Sequence, residues 1–309
     1  MTRKITALLM AGLLTLAGCA TPAATTTTAG TSAATTAAGT TATETTMAGT
    51  TTAGTTTAST TTAAKADLVV GMEANYAPYN WSQPTDANGA VPIDSSVGFA
   101  GGYDVEVAKL LAEALGRNLV IKQIAWEGLI PAVQNGGIDV IIAGMSVTPD
   151  RAESVDFSNP YYDSRFVMLV SKTGKFVGAT KLADFTGAKI IGQKSTNYDA
   201  VIPQIPGVKH ETPLGTVPLI INAIQKGVAD GTVVEKPVAI SVTAANPDLV
   251  MVEFTPENGF QEQEGIETAL NIAMEKGKTE LKDQVNAFLS TLTDDQRDAL
   301  METAVKNQP

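Results

Sequence analysis

The chain has 309 residues, with 21 Lys+Arg against 32 Asp+Glu, one His, one Cys and a formal net charge of −11. An acidic chain without a basic patch repels a phosphate backbone, which excludes nucleic acid as a partner class. A single Cys excludes an internal disulfide and a Cys-built metal centre, and a single His excludes multi-His zinc sites and leaves little room for a Ser-His-Asp triad. No cofactor or metal is expected.

The first residues read as a secretory signal, spanning 1–18. Arg3 and Lys4 precede an apolar run over 5–16, and Leu16-Ala17-Gly18-Cys19 follows. The run is shorter than the roughly 20 residues of a membrane-spanning helix. Leu-Ala-Gly-Cys resembles the lipobox of bacterial lipoproteins, which implies cleavage before Cys19 and lipidation of its thiol. The segment 20–64 is almost entirely Ala and Thr, with no aromatic residue and Glu44 as its only charge. It cannot bury enough apolar surface to offset chain entropy, so together with Cys19 it is expected to form a disordered linker over 19–64. A flexible chain of that length has a root-mean-square span on the order of 35–40 Å, enough to lift a folded unit off a membrane.

From residue 65 onward strands and helices alternate. Strands are expected at 68–72, 119–121 and 138–143, and helices at 103–115 and 127–134. The helix at 103–115 carries Val107, Ala108, Leu111, Ala114 and Leu115 on one face and ends at Gly116. A second set follows, with strands at 188–192, 230–234 and 249–254 and helices at 217–226 and 237–245. Three more helices are expected at 265–276, 279–292 and 293–306, the last started by Thr293-Asp294-Asp295. This alternation points to parallel α/β sheets in two lobes. Lobe one is 65–165 with 250–309, and lobe two is 166–249. The extended segments 166–170 and 249–254 are the candidates for the two hinge connections between them. A ligand cleft then lies between the lobes, at the carboxyl ends of the strands.

Three clusters of residues suit such a cleft. In Gly144-Met145-Ser146-Val147-Thr148-Pro149-Asp150-Arg151, a strand end meets a helix start. Thr148 suits the N-cap and Pro149 the first helical position, and Arg151 offers a planar fork for a carboxylate. The alternative for Arg151 is a surface pair with Asp150, Glu153 or Asp156. In Gln193-Lys194-Ser195-Thr196-Asn197, Ser195 or Thr196 can cap the next helix, whose amides would bind a carboxylate. Glu235 ends a strand before Lys236-Pro237, where the alternative is an ion pair with Lys236. His210 reads as a solvated loop residue, and no carboxylate pair has acid–base spacing.

The motif 141–151, continued by Val155-Asp156-Phe157-Ser158-Asn159-Pro160-Tyr161-Tyr162, resembles the signature of the family 3 polar amino-acid solute-binding proteins of ABC transporters. Tyr103-Asp104-Val105-Glu106-Val107-Ala108 and Trp126-Glu127-Gly128-Leu129-Ile130-Pro131-Ala132-Val133 resemble two further motifs of that family, in the same order. The resemblance runs over about 66–290. It implies a two-lobed α/β fold of the type II periplasmic-binding-protein kind, with no catalysis. It also implies that Arg151 grips a ligand α-carboxylate, that Gly144 and Ser146 meet the carboxylate and amino group, and that Glu73 meets the ligand side chain. Tyr76 and Trp126 match aromatic positions that sandwich the ligand, and Thr196 and Asn197 match contact positions. Glu235 matches a position that more often holds Asp and binds the ammonium, and Ser195 stands where the family usually has Gly. The implied ligand is a free polar L-amino acid, with Lys, Arg and His ranked first and Gln beside them, because a carboxylate at 73 favours a cationic or amide end. The implied partners are permease and ATPase subunits on separate chains, with the protein a lipid-anchored, extracytoplasmic monomer. The alternative is an enzyme on the same fold, resembling cyclohexadienyl dehydratases, with Glu235 or Glu73 as a general acid.

Overall fold

The computed structural model describes residues 65–261 and 267–309. The expected signal segment, Cys19 and the linker lie outside the described residues. No helix among the described residues is long and apolar enough to cross a membrane.

The first lobe opens with β1 (Asp67–Met72), β2 (Asn75–Tyr76), β3 (Asn80–Gln83), β4 (Val91–Pro92) and β5 (Phe99–Gly101), then α1 (Tyr103–Ala114) and β6 (Asn118–Gln123). A short 3-10 turn at Trp126–Gly128 leads into α2 (Leu129–Gln134), followed by β7 (Val140–Ile141), α3 (Pro149–Ser154) and β8 (Val155–Tyr162). The second lobe carries β9 (Phe166–Ser171), β10 (Lys189–Ile190), α4 (Asn197–Ala200), β11 (Lys209–His210), α5 (Val217–Gln225), β12 (Gly231–Glu235), α6 (Lys236–Ala245) and β13 (Leu249–Val252). The chain then returns to the first lobe with β14 (Leu270–Glu275), α7 (Thr279–Leu289) and α8 (Asp294–Asn307).

Each lobe is built on a five-stranded sheet, in the orders β6-β1-β7-β14-β8 and β11-β10-β12-β9-β13, and β2, β3, β5 and β4 form a small antiparallel sheet. The sheets are mixed rather than parallel. β1 runs parallel to β6 and β7, and β10 to β11 and β12. The strands that arrive from the opposite lobe, β14 and β9, insert antiparallel to their neighbours. A strand entering from another lobe follows no βαβ crossover, so the rule that makes successive strands parallel does not apply to it.

Two expectations are corrected here. The segments 166–170 and 249–254 are not the connections between lobes: β9 and β13 pair with each other inside the second sheet, Leu249 opposite Ser171 and Val252 opposite Met168. The chain passes from one sheet to the other after Tyr162, before β9, and returns after Val252, ahead of β14. The helix expected at 265–276 is replaced by β14, which lies between β7 and β8 with Leu270 to Met274 fully or almost fully buried. A strand covered on both faces has no polar alternation, and tertiary pairing overrides the helix propensity of Leu, Ala, Met and Glu.

The helix ends follow local chemistry. Thr148 Oγ1 accepts the Arg151 amide at 3.3 Å, with Pro149 at the first helical position. Thr293 and Gln296 form a reciprocal capping box at the start of α8, at 3.2 and 2.9 Å. The N-cap of α1 is Gly102, whose φ is 122°; a Cβ there would meet the Tyr79 carbonyl oxygen at 2.3 Å. α8 packs against α1 of the first lobe and α6 of the second.

Candidate functional site

The turn after β7 carries the first cluster. Gly144 has φ +63°, and its amide donates to the Tyr161 hydroxyl at 3.0 Å. That amide is therefore engaged within the protein. A Cβ at Gly144 would sit 3.1 Å from Tyr76 Cε1, so a side chain here would press on the Tyr76 ring. Ser146 is buried, and its hydroxyl has no partner among the described residues.

Arg151 makes none of the surface ion pairs that its neighbours offer. It is 8% exposed; Nη1 donates to the Ser146 carbonyl at 2.7 Å, and Nη2 donates across to the Ser195 carbonyl of the second lobe at 2.9 Å. Its guanidinium lies 5.1 Å from the centre of the Trp126 ring, in cation–π geometry, and Trp126 Nε1 donates to the same Ser195 oxygen at 3.1 Å. Burial lowers the Arg151 pKa to about 10, against the opposing pull of Tyr198 and Glu235, so the group stays charged at neutral pH.

The second lobe presents its cluster after β10. Ser195 has φ +62°, a left-handed conformation at a non-glycine residue. This turn directs its carbonyl to Arg151 and Trp126, while its hydroxyl donates to Glu127 at 3.2 Å. Thr196, not Ser195, caps the next helix, accepting the Asp199 amide at 3.2 Å and donating to the Gln193 carbonyl at 2.6 Å. That helix, α4, is a single turn. The Asn197 side chain is used at both ends: Nδ2 donates to the Glu267 carbonyl at 3.0 Å, and Oδ1 accepts the Tyr198 amide at 3.0 Å. His210 stands on β11 rather than in a loop and pairs with Asp199 at 2.8 Å.

The two acids lie deeper. Glu73 is 4% exposed; both its oxygens accept from Gln193 Nε2, at 3.3 and 3.2 Å. Burial raises its pKa, and the bonds from Gln193 oppose the rise. Glu235 is 1% exposed and accepts from the Tyr76 hydroxyl. Burial pushes its pKa up to about 7, with Tyr76 and Arg151 pulling downward. Lys236 pairs with Glu253 at 3.1 Å, which leaves Glu235 on the inside. The Tyr76 ring stacks on Tyr79 and Tyr198, with centroids 5.5 and 6.4 Å away.

The structure thus brings the sequence-derived residues together in two groups. Trp126, Arg151, Thr196 and Asn197 border a cavity of about 520 Å³ between the lobes, together with Met145, Thr148 and Ser195. Glu73, Tyr76, Gly144, Ser146 and Glu235 are buried and do not border it. Gln193 and Tyr198 belong to the inner group and were not expected there. Tyr198 donates to Gln193 Oε1 at 2.5 Å, which orients the Gln193 amide toward Glu73. No spacing signals the Glu73–Gln193 pair, whose members are 120 positions apart.

The chain matches the model of the bacterial extracellular solute-binding proteins, family 3, over residues 68–306. It is 29% identical over 229 residues to a probable histidine-binding protein of Neisseria gonorrhoeae, covering 67% of this chain and 76% of that protein. It is 28% identical over 232 residues to a putative ABC transporter arginine-binding protein of Escherichia coli, covering 72% and 84%. The fold resembles that of an amino acid ABC transporter substrate-binding protein from Streptococcus pneumoniae bound to L-arginine, with TM-score 0.65 and 26% identity over 78% of this chain and 94% of that one. It also resembles an ancestral arginine-binding protein bound to glutamine, with TM-score 0.63 and 28% identity over 77% and 97%. With its two sheets joined by two crossings and a buried Arg between them, this chain belongs to the bacterial extracellular solute-binding proteins of family 3.

Proposed function

We propose that this protein captures a free L-amino acid between its lobes and delivers it to an ABC permease driven by a separate ATPase. The observation that carries this reading is Arg151, a buried, charged guanidinium bonded to both lobes, of whose five N–H donors the described residues take up two. The remaining donors suit an α-carboxylate. Glu235, buried on the far lobe, suits an ammonium, and the Ser146 hydroxyl supplies a further polar contact. Only a ligand that touches both lobes stabilises the closed form, because differential affinity is what shifts the population.

Glu73 suits the ligand's far end. A buried carboxylate that already accepts from an amide, Gln193 Nε2, favours a basic side chain first and glutamine second. Relatives named for histidine, arginine and glutamine fall within that range of ligands, beside others named for L-cystine. A thermal-shift screen with the twenty amino acids tests the reading: the cognate ligand raises the melting temperature, since it binds the folded form alone.

The signal segment and Leu-Ala-Gly-Cys support a lipoprotein that is acylated at Cys19 and works outside the cytoplasm. The enzymatic alternative draws on the Glu235 carboxyl titrating near neutrality. Release of phenylpyruvate from prephenate is the outcome that would replace binding by catalysis.

A further inference from the structure

Behind the cleft, a buried carboxylate on α1 stands at a fork. Asp104, Asn80 and Tyr161 are all fully buried. Asp104 Oδ2 accepts from Asn80 Nδ2 at 2.7 Å, and Asn80 Oδ1 in turn accepts the Ala74 amide at 2.7 Å. Asp104 Oδ1 accepts from the Tyr161 hydroxyl at 2.7 Å, and that hydroxyl accepts the Gly144 amide at 3.0 Å. One arm ends on the residue after Glu73, and the other ends two residues before Ser146.

Both arms end on backbone in the left-handed region, with φ +56° at Ala74 and +63° at Gly144. Ala74 has no glycine's freedom there, so its turn needs an outside restraint. Asp104 forms no salt bridge among the described residues. A buried charge held only by hydrogen bonds is a poor device for stability, since an apolar side chain of similar volume usually serves as well. A role in placing the two loops accounts for it.

We propose that Asp104 is a positioning residue for the cleft: by accepting from Asn80 and Tyr161 it holds the Glu73–Ala74 turn and the Gly144–Ser146 turn in one fixed relation. The inference rests on the cleft being the ligand site. In Asp104→Asn, whichever way the new amide turns, either Asn80 Nδ2 or the Tyr161 hydroxyl loses its acceptor. In the exchange Asn80→Asp with Asp104→Asn, every bond is restored: the new carboxylate accepts from Ala74 and from the new amide, whose oxygen accepts from Tyr161.

The experiment reads two quantities in the full chain: L-arginine affinity by calorimetry, and hydrogen exchange in the segments around Ala74 and Gly144. Asp104→Asn is expected to weaken binding about tenfold, as loss of one buried hydrogen bond does, and to speed exchange in at least one segment. Tyr161→Phe removes a single hydroxyl and carries the test should Asp104→Asn fail to fold; it is expected to speed exchange at Gly144 and leave Ala74 protected. The exchanged pair is expected to recover both affinity and protection, which a merely space-filling Asp104 would not produce. Unchanged affinity and exchange in Asp104→Asn and Tyr161→Phe, or a folded exchanged pair as weak as Asp104→Asn, overturns the proposal. If the unaltered protein binds none of the twenty amino acids, the reading of the cleft falls, and the exchange data alone decide whether Asp104 ties the two turns.

Discussion

The Ser195 carbonyl oxygen receives two donors from the opposite lobe, Arg151 Nη2 at 2.9 Å and Trp126 Nε1 at 3.1 Å. One backbone oxygen thus joins the Arg151 guanidinium to the aromatic ring beneath it. On the proposed reading, closure of the lobes and formation of the anion site share that geometry.

Replacing Arg151 removes both. Arg151→Ala is expected to weaken amino-acid binding by about 2–5 kcal/mol, as truncating one partner of a buried charge pair does. Isothermal calorimetry checks this, and affinity equal to that of the unaltered protein would remove Arg151 from the site.

The left-handed backbone of Ser195 carries strain that glycine relieves. Ser195→Gly is expected to stabilise the fold by about 1 kcal/mol, since a non-glycine residue in this region costs roughly 1–2 kcal/mol and the exposed bond to Glu127 offsets little. A lower melting temperature in the variant would mean that the Ser195 side chain holds the turn.

Glu235 is expected to make the protein sensitive to pH, with a sign that follows from its raised pKa. Below about pH 4.5 its carboxyl is protonated folded or unfolded; between there and about 7 the folded form alone keeps the proton; above 7 both forms have lost it. Stability from this group therefore falls as pH rises toward 7, by on the order of 3 kcal/mol. Glu235→Gln, which keeps an oxygen for Tyr76, is expected to melt higher than the unaltered protein at pH 8, with the gap narrowing toward pH 5. An amino acid's ammonium requires the ionised form, so binding at pH 6 is expected to release a proton. Calorimetry in buffers of different ionisation enthalpy measures that release, and Glu235→Gln should reduce it. Asp104, raised by burial to about 6, adds a second titration below that of Glu235.

Glu73 is the test of ligand class. Glu73→Gln is expected to weaken binding of L-arginine or L-lysine by about 1.5–3 kcal/mol, the worth of a hydrogen bond to a charged group, and to change L-glutamine binding less. Equal losses for cationic and amide ligands would move the side-chain subsite elsewhere.

Cys19 is expected to hold the protein to the membrane through acyl chains, and two chains are needed for stable anchoring. Cys19→Ala should shift the protein from the membrane fraction to the soluble fraction and abolish labelling by a radioactive fatty acid. Retention with the membranes would assign the anchor to another feature.

Local chemistry is what the sequence reveals most fully. Thr148-Pro149 and Thr293-Asp294-Asp295 are each specified within a few residues and each starts a helix as expected, and of the expected stripe on α1 Val107, Ala108 and Leu111 are buried whereas Ala114 is exposed. The turn residues around Gly144 and Arg151 are legible for the same reason. The 3.6-residue pattern fails at 270–275, where burial on both faces erases the alternation that marks a strand.

The amino-acid sequence by itself determined the helix starts, the two series of elements, the acidic balance and the residue types of the proposed anion site. Only the tertiary structure decided which of these meet. Glu73 finds Gln193, Tyr76 finds Glu235 and Arg151 finds Ser195 across separations of 120, 159 and 44 positions, and β9 and β14 each take an antiparallel place in the sheet of their own lobe. Pattern and capping are short-range effects and leave a local trace. Contacts between distant segments arise only when burial folds both lobes against a shared hinge, and no local spacing records them.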